Sequence, residues 1–168
     1  MPLSRTTAVL ALALPLVLSS KEPILRIAIS GDGLTTPIAI TDAAIIERFR
    51  LGEGPGTFSV TPDGEKHPSN FAHGFIVDWS RGPVEPPKAL QSYEVAFITA
   101  SPERTYKVLY AIDPLSNQGY VYIPGKPDAA FTVNVSIIYR GVEGKWFHAW
   151  DQWENVARPL IARARAAQ

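Results

Sequence analysis

YEVAFIT (Tyr93–Thr99), YKVLYAI (Tyr106–Ile112), GYVYIPG (Gly119–Gly125) and FTVNVSIIYR (Phe131–Arg140) follow one another with little between them. Each is an apolar run, and Pro, Gly, Asn and Asp break the chain between runs. This pattern predicts an antiparallel meander. In the last run Phe131, Val133, Val135, Ile137 and Tyr139 fall on one side, and Thr132, Asn134, Ser136 and Arg140 on the other. That alternation predicts a half-buried strand with one wet face. In the second run Tyr106, Val108, Tyr110 and Ile112 alternate with Lys107, Leu109 and Ala111, which suits a strand covered on both sides.

Downstream, Gly141–Gly144 reads as a hairpin turn into a strand over Lys145–Ala149. A C-terminal helix is expected from Asp151, with Asp151 and Glu154 at capping-box spacing. Trp153, Val156, Ala157, Leu160, Ile161 and Ala164 share one helical face. Pro159 lies inside this pattern and predicts a kink or a restart.

Upstream, Phe75–Trp79 reads as a strand, and the proline-rich Arg81–Lys88 as an extended connection. Glu53–Gly74 is a long polar segment with one short strand at Thr57–Val60 and a turn at Pro62–Gly64. Ile24–Ser30 is a β-branched first strand bounded by Gly31, Asp32 and Gly33. A short helix is expected after Thr41 as N-cap, with Asp42 in its first turn, Arg48 and Arg50 in its last, and Gly52 closing it. Ile40 and Ile45 are spaced as a hydrophobic staple, and Ile45, Ile46 and Phe49 form its apolar face.

These elements give residues 21–168 as a single α+β domain. Its sheet is mostly antiparallel, with about five to seven strands, one short helix after the first strand, and a C-terminal helix packed on the sheet. The composition agrees: hydrophobic residues make up 46% of the 168 and charged residues 19%, which is enough to bury a core. Fifteen prolines favour turns over long helices.

Residues 1–20, MPLSRTTAVLALALPLVLSS, have the layout of a secretory signal peptide: Arg5, an apolar run over Thr6–Leu18, then Ser19 and Ser20. The run is shorter than the roughly 20 apolar residues a transmembrane helix needs. Export to the periplasm or extracellular space is expected, with no stable membrane span after cleavage; an uncleaved N-terminal anchor is the alternative. There are no cysteines, which removes disulfides, thiolate catalysis, Cys-ligated metals and a lipoprotein anchor. The net charge of zero argues against a nucleic-acid partner, which requires a basic field.

Ile29–Thr35 (ISGDGLT) resembles the first block of the GDSL family of esterases and lipases over seven residues. In that family the serine of Gly-Asp-Ser-Leu is the nucleophile. Gly33 stands at its place here, and no histidine follows Asp151 in the spacing of the family's late Asp-x-x-His pair. Without the hydroxyl there is no acyl-enzyme route, and Gly31–Gly33 reads as a turn.

The three histidines are His67, His73 and His148, with Asp63, Glu65 and Asp78 as carboxylate companions. Their spacing matches none of the usual zinc patterns, so neither metal nor cofactor is expected. Tyr106, Tyr110, Tyr120, Tyr122 and Tyr139, with Trp146, Phe147, Trp150 and Trp153, are either a platform for a sugar or peptide or the packing between sheet and helix; spacing favours packing. Trp79, beside the proline-rich connection, is the tryptophan expected to be exposed. Asn134-Val135-Ser136 fits a glycosylation pattern but falls inside an expected strand.

The functional expectation is a non-catalytic binding or accessory domain that meets a protein or glycan partner, with Trp79, His73, Asp78 and Asp32 as candidate ligand-binding residues. The alternative is a small exported hydrolase with its site around Asp32, His73 and Asp78.

Overall fold

The computed structural model describes residues 23–49, 51, 54, 58–60, 63–68, 73–101, 105–134 and 141–168. In chain order the elements are β1 (Ile24–Gly31), β2 (Ile38–Ile40), α1 (Ala43–Ile46), β3 (Phe58–Val60), β4 (Lys66–Pro68), β5 (His73–Gly74) and β6 (Val77–Asp78). A 3-10 turn (Trp79–Arg81) leads to β7 (Pro83–Val84), β8 (Gln91–Thr99), β9 (Tyr106–Ile112), β10 (Gly119–Ile123), α2 (Ala129–Asn134), β11 (Lys145–His148) and α3 (Asp151–Ala166). Seven strands form one sheet in the order β2-β1-β8-β9-β10-β11-β7, and every pairing is antiparallel. The fold is α+β, with the C-terminal helix packed on the sheet.

Alternation sorts the central strands onto two faces. Tyr93, Val95 and Phe97 of β8 pair with Tyr110, Val108 and Tyr106 of β9. Ile27 and Ile29 of β1 pair with Phe97 and Val95. All eight are buried, so this inner face is the core. α3 lies across it. Trp153 packs edge-on against Tyr110 at 5.8 Å and Phe49 at 5.2 Å, and Arg165 stands over the Tyr93 ring at 5.9 Å. Sixteen helical residues reach about 24 Å, which suits a helix that starts beside β11 and ends beyond β8 at the turn after β1, about 19 Å of strand spacings away. Trp153, Ala157 and Ile161 are its buried stripe, with Val156 and Leu160 at the margins, as the spacing predicts. The helix is continuous through Pro159.

The meander holds for β8, β9 and β10, and fails for the fourth run. Phe131–Asn134 belongs to helix α2, and 135–140 lies outside the described residues. The reason is local. Continuing the β9–β10 register places Pro124 opposite Lys107, and proline has no N–H for the ladder. The Asn134 side chain takes the vacant place. Its Oδ1 accepts from the Lys107 N–H at 2.8 Å, and its Nδ2 donates to the Lys107 carbonyl at 2.6 Å. Asn134, expected on a wet face, is 4% exposed. Strand β11 consequently pairs with β10 and β7 instead of closing a hairpin on 131–140.

Other boundaries move for identifiable reasons. Asp42, and not Thr41, caps α1, accepting from the N–H groups of Ala44 at 2.8 Å and Ile45 at 3.1 Å. The residues before it form edge strand β2, and the helix is a single turn that ends at Ile46, short of the expected close at Gly52. Trp150, and not Asp151, is the N-cap of α3, because its N–H donates to the Ile76 carbonyl and holds it extended. The run Phe75–Trp79 is not one strand: it holds the turn and second strand of the hairpin β5–β6 and then enters the 3-10 turn at Trp79. It reverses at Phe75, whose φ is 61° and whose ring packs between Phe97 and Tyr106. Phe58–Val60 pairs antiparallel with Lys66–Pro68, while Thr57 and Pro62 of the expected strand and turn lie outside the described residues. From Val84 at one edge the chain reaches Gln91 of β8 in seven steps, across four strand spacings of about 4.8 Å each. Only an extended segment spans that, and Pro86 and Pro87 suit it.

Candidate functional site

The inner face is closed, and one polar unit is sealed into it. The Tyr110 hydroxyl donates to the Glu154 carboxylate, which also accepts from Arg158. Glu154 is 8% exposed and lies over Gly119, where a Cβ would overlap its carboxylate. Burial first, and Glu154 second, push the Tyr110 hydroxyl far above the ordinary tyrosine value. This unit locks α3 to β9 and β10, with Tyr110 and Glu154 buried and Arg158 partly exposed.

The outer face differs. Direct cross-strand partners share a face, so the pairs Tyr120–His148 and Tyr122–Trp146 project to the same side. Their rings stack, with centroids 5.2 Å and 5.1 Å apart and planes tilted 33° and 39°. Tyr120 is buried, whereas Tyr122, Trp146 and His148 are partly exposed. On the neighbouring strands the small residues Ala96 and Ala111 are buried.

Beside the Tyr122–Trp146 pair lies a shallow hollow of about 200 Å³. Glu94, Lys107, Leu109 and Tyr122 line it from the sheet, and Pro124, Asp128 and Ala130 from the segment that enters α2. Glu94 is opposite Leu109, which makes Lys107 its diagonal neighbour, and the Lys107 Nζ is 2.8 Å from a Glu94 carboxylate oxygen. Asp128 accepts from the Tyr122 hydroxyl at 2.8 Å and the Gly125 N–H at 2.7 Å. Burial and the bond to Asp128 hold the Tyr122 hydroxyl above its ordinary value, so it stays a donor. The hollow thus combines an aromatic wall, an ammonium and two carboxylates.

The candidate residues from the sequence occupy separate places. Trp79 is 9% exposed and packs edge-on against Phe147 at 5.1 Å. The expectation of an exposed Trp79 is corrected: Asp78 caps the 3-10 turn through the Ser80 N–H at 3.1 Å, and the turn drives the indole into the core. His73 is the register partner of Asp78. The bridge between Val77 and Ala149 brings Asp78 alongside His148. Burial and then Arg81 lower the His148 pKa, against the opposing pull of Asp78. Asp32 is elsewhere. Its N–H donates to the Ser92 carbonyl at 3.0 Å, its carbonyl accepts from Arg165 at 3.1 Å, and its carboxylate is 3.9 Å from Arg165. That row lies four strand spacings, about 19 Å, from β11. The structure therefore pairs His73 with Asp78 and leaves Asp32 apart from both. Gly31–Gly33 is the turn expected: Gly31 has φ 139°, and a Cβ there would sit 2.6 Å from the Ser92 carbonyl oxygen. Among the described residues no three His, Asp or Glu side chains converge on a metal position.

The aromatic set divides. Tyr106, Tyr110, Phe147 and Trp153 are core, Trp150 packs on Phe49 at 6.1 Å, and Tyr139 lies outside the described residues. Glu94, Lys107, Leu109 and Asp128 carry the hollow and were not singled out by the sequence reading. The signal for Glu94 and Lys107 was present: both fall at the polar positions of alternating strands. Their meeting with Asp128 depends on α2, which the alternation disguised as a strand. No protein-family model, curated protein or solved structure matches this chain.

Proposed function

We propose that the protein is an exported, non-catalytic binding domain of the cell envelope or extracellular space, and that its outer sheet face is the binding surface. The observation that carries this is the contrast between the two faces. The inner face is consumed by packing, while the outer one presents stacked, partly exposed rings beside a polar-rimmed hollow. Aromatic residues with polar tips are what a recognition surface uses. The hollow is smaller than the roughly 300–1,000 Å³ of an enclosing small-molecule site, which suits surface recognition over chemistry in a water-excluded pocket. Export follows the sequence pattern of residues 1–20. Among the described residues no helix is long and apolar enough to cross a membrane. The hydrolase reading asks Asp32 and Asp78 to act together, and their separation counts against it.

A thermal-shift screen of the chain from Lys21 onward tests the proposal, using oligosaccharides, peptidoglycan fragments and proline-rich peptides. A ligand that binds the native state raises the midpoint, and Trp146→Ala should erase that rise while leaving the unliganded far-UV spectrum unchanged. Hydrolysis of ester or glycoside substrates that disappears in Asp78→Asn or His73→Ala would install the enzyme reading in its place.

A further inference from the structure

We infer that the hollow beside Tyr122 receives one uncharged saccharide unit of a glycan chain; this deepens the outer-face reading and rests on it. A pyranose has an apolar C–H face and a rim of hydroxyls. The Tyr122 ring lines the hollow and offers a surface against which such a face can lie, and Trp146 stacks on that ring. The hydroxyls both donate and accept, and the hollow supplies each complement: Glu94 and Asp128 as acceptors, Lys107 as donor. Size sets the stoichiometry, because about 200 Å³ holds a single ring.

Charge selects against the competitors. Two carboxylates face one ammonium, so an anionic sugar meets net repulsion at short range. A proline-rich peptide would satisfy the rings, but it carries no hydroxyls for the acid–ammonium rim and would cover that rim without compensating its lost hydration.

Amide chemical-shift mapping of the full chain tests this. The probes are neutral oligosaccharides of glucose, xylose and N-acetylglucosamine, an oligouronate, and a proline-rich peptide. A neutral oligosaccharide should bind, shift Leu109, Tyr122 and Ala130, and lose all binding in Trp146→Ala. Asp128→Asn keeps an acceptor for Tyr122 and Gly125, so the fold is retained; it should weaken the saccharide about tenfold, the scale of one hydrogen bond to a charged group. Preference for the oligouronate, or unchanged affinity in Asp128→Asn, overturns the saccharide assignment. Binding of the proline-rich peptide alone at these residues overturns it too while sparing the outer-face reading. Absence of any shift on this face with every probe overturns both.

Discussion

A single missing side chain decides how α3 meets the sheet. Gly119 leaves room for the Glu154 carboxylate, and from there Glu154 reaches both Tyr110 and Arg158. Gly119→Ala should cost about 2 kcal/mol, the scale of overpacking in a closed core, measured by urea unfolding. The mechanism makes a sharper claim: in a Glu154→Ala background the same change should be nearly neutral, because its obstacle has gone. A cost that persists in the double mutant would assign Gly119 a backbone role. The same unit sets an alkaline limit. Tyr110 remains protonated in the fold well above the pH at which it ionises in the unfolded chain. The unfolded state therefore holds fewer protons from about pH 10 upward, and stability falls as pH rises through that range. Tyr110→Phe should flatten this limb of the stability–pH curve. The unit is not legible in the sequence, since Glu154 sits at capping-box spacing from Asp151 and reads as part of the helix cap.

At the scale of elements, the sequence was legible wherever one face of a run is buried and the other is not. β8, β9 and β10 and the stripe of α3 follow from alternation and helical spacing, because burial enforces the period. Phe131–Asn134 was misread for the same reason: its alternation is that of a strand, yet the place beside Lys107 calls for a side-chain amide. Local pattern is a weaker constraint than two backbone groups left unpaired. Asn134→Ala should cost about 2 kcal/mol by orphaning the Lys107 N–H and C=O, and hydrogen exchange at the Lys107 amide should quicken by more than at Leu109. Slowed or unchanged exchange at Lys107 would mean another group serves it. Pro159 supports a companion prediction. It is exposed in mid-helix and contributes no N–H, so Pro159→Ala should stabilise α3 by about 1–3 kcal/mol, seen as a higher Tm. A lower Tm would show that the helix needs the local geometry proline imposes.

For the whole molecule, topology separates what forms early from what forms late. β8, β9 and β10 are consecutive hairpins: Val95 meets Val108 and Tyr110 meets Val121 across short stretches of chain. β1 must instead find β8, with Ile27 opposite Phe97, seventy positions along the chain. Loop-closure entropy is met before such a contact contributes anything, so the hairpins should be the nucleus and β1 should dock afterwards. The rings and polar groups of the candidate site all lie on β8 to β11 and the segment entering α2. Val108 and Ile29 are both buried on the inner face, which makes a matched comparison. Val108→Ala should slow folding with a φ-value above about 0.5, whereas Ile29→Ala should mainly speed unfolding with a φ-value below about 0.3. Stopped-flow chevrons of the chain from Lys21 onward measure both. The reverse order would mean that β1 and β8 pair first, and that the hairpins owe their register to β1.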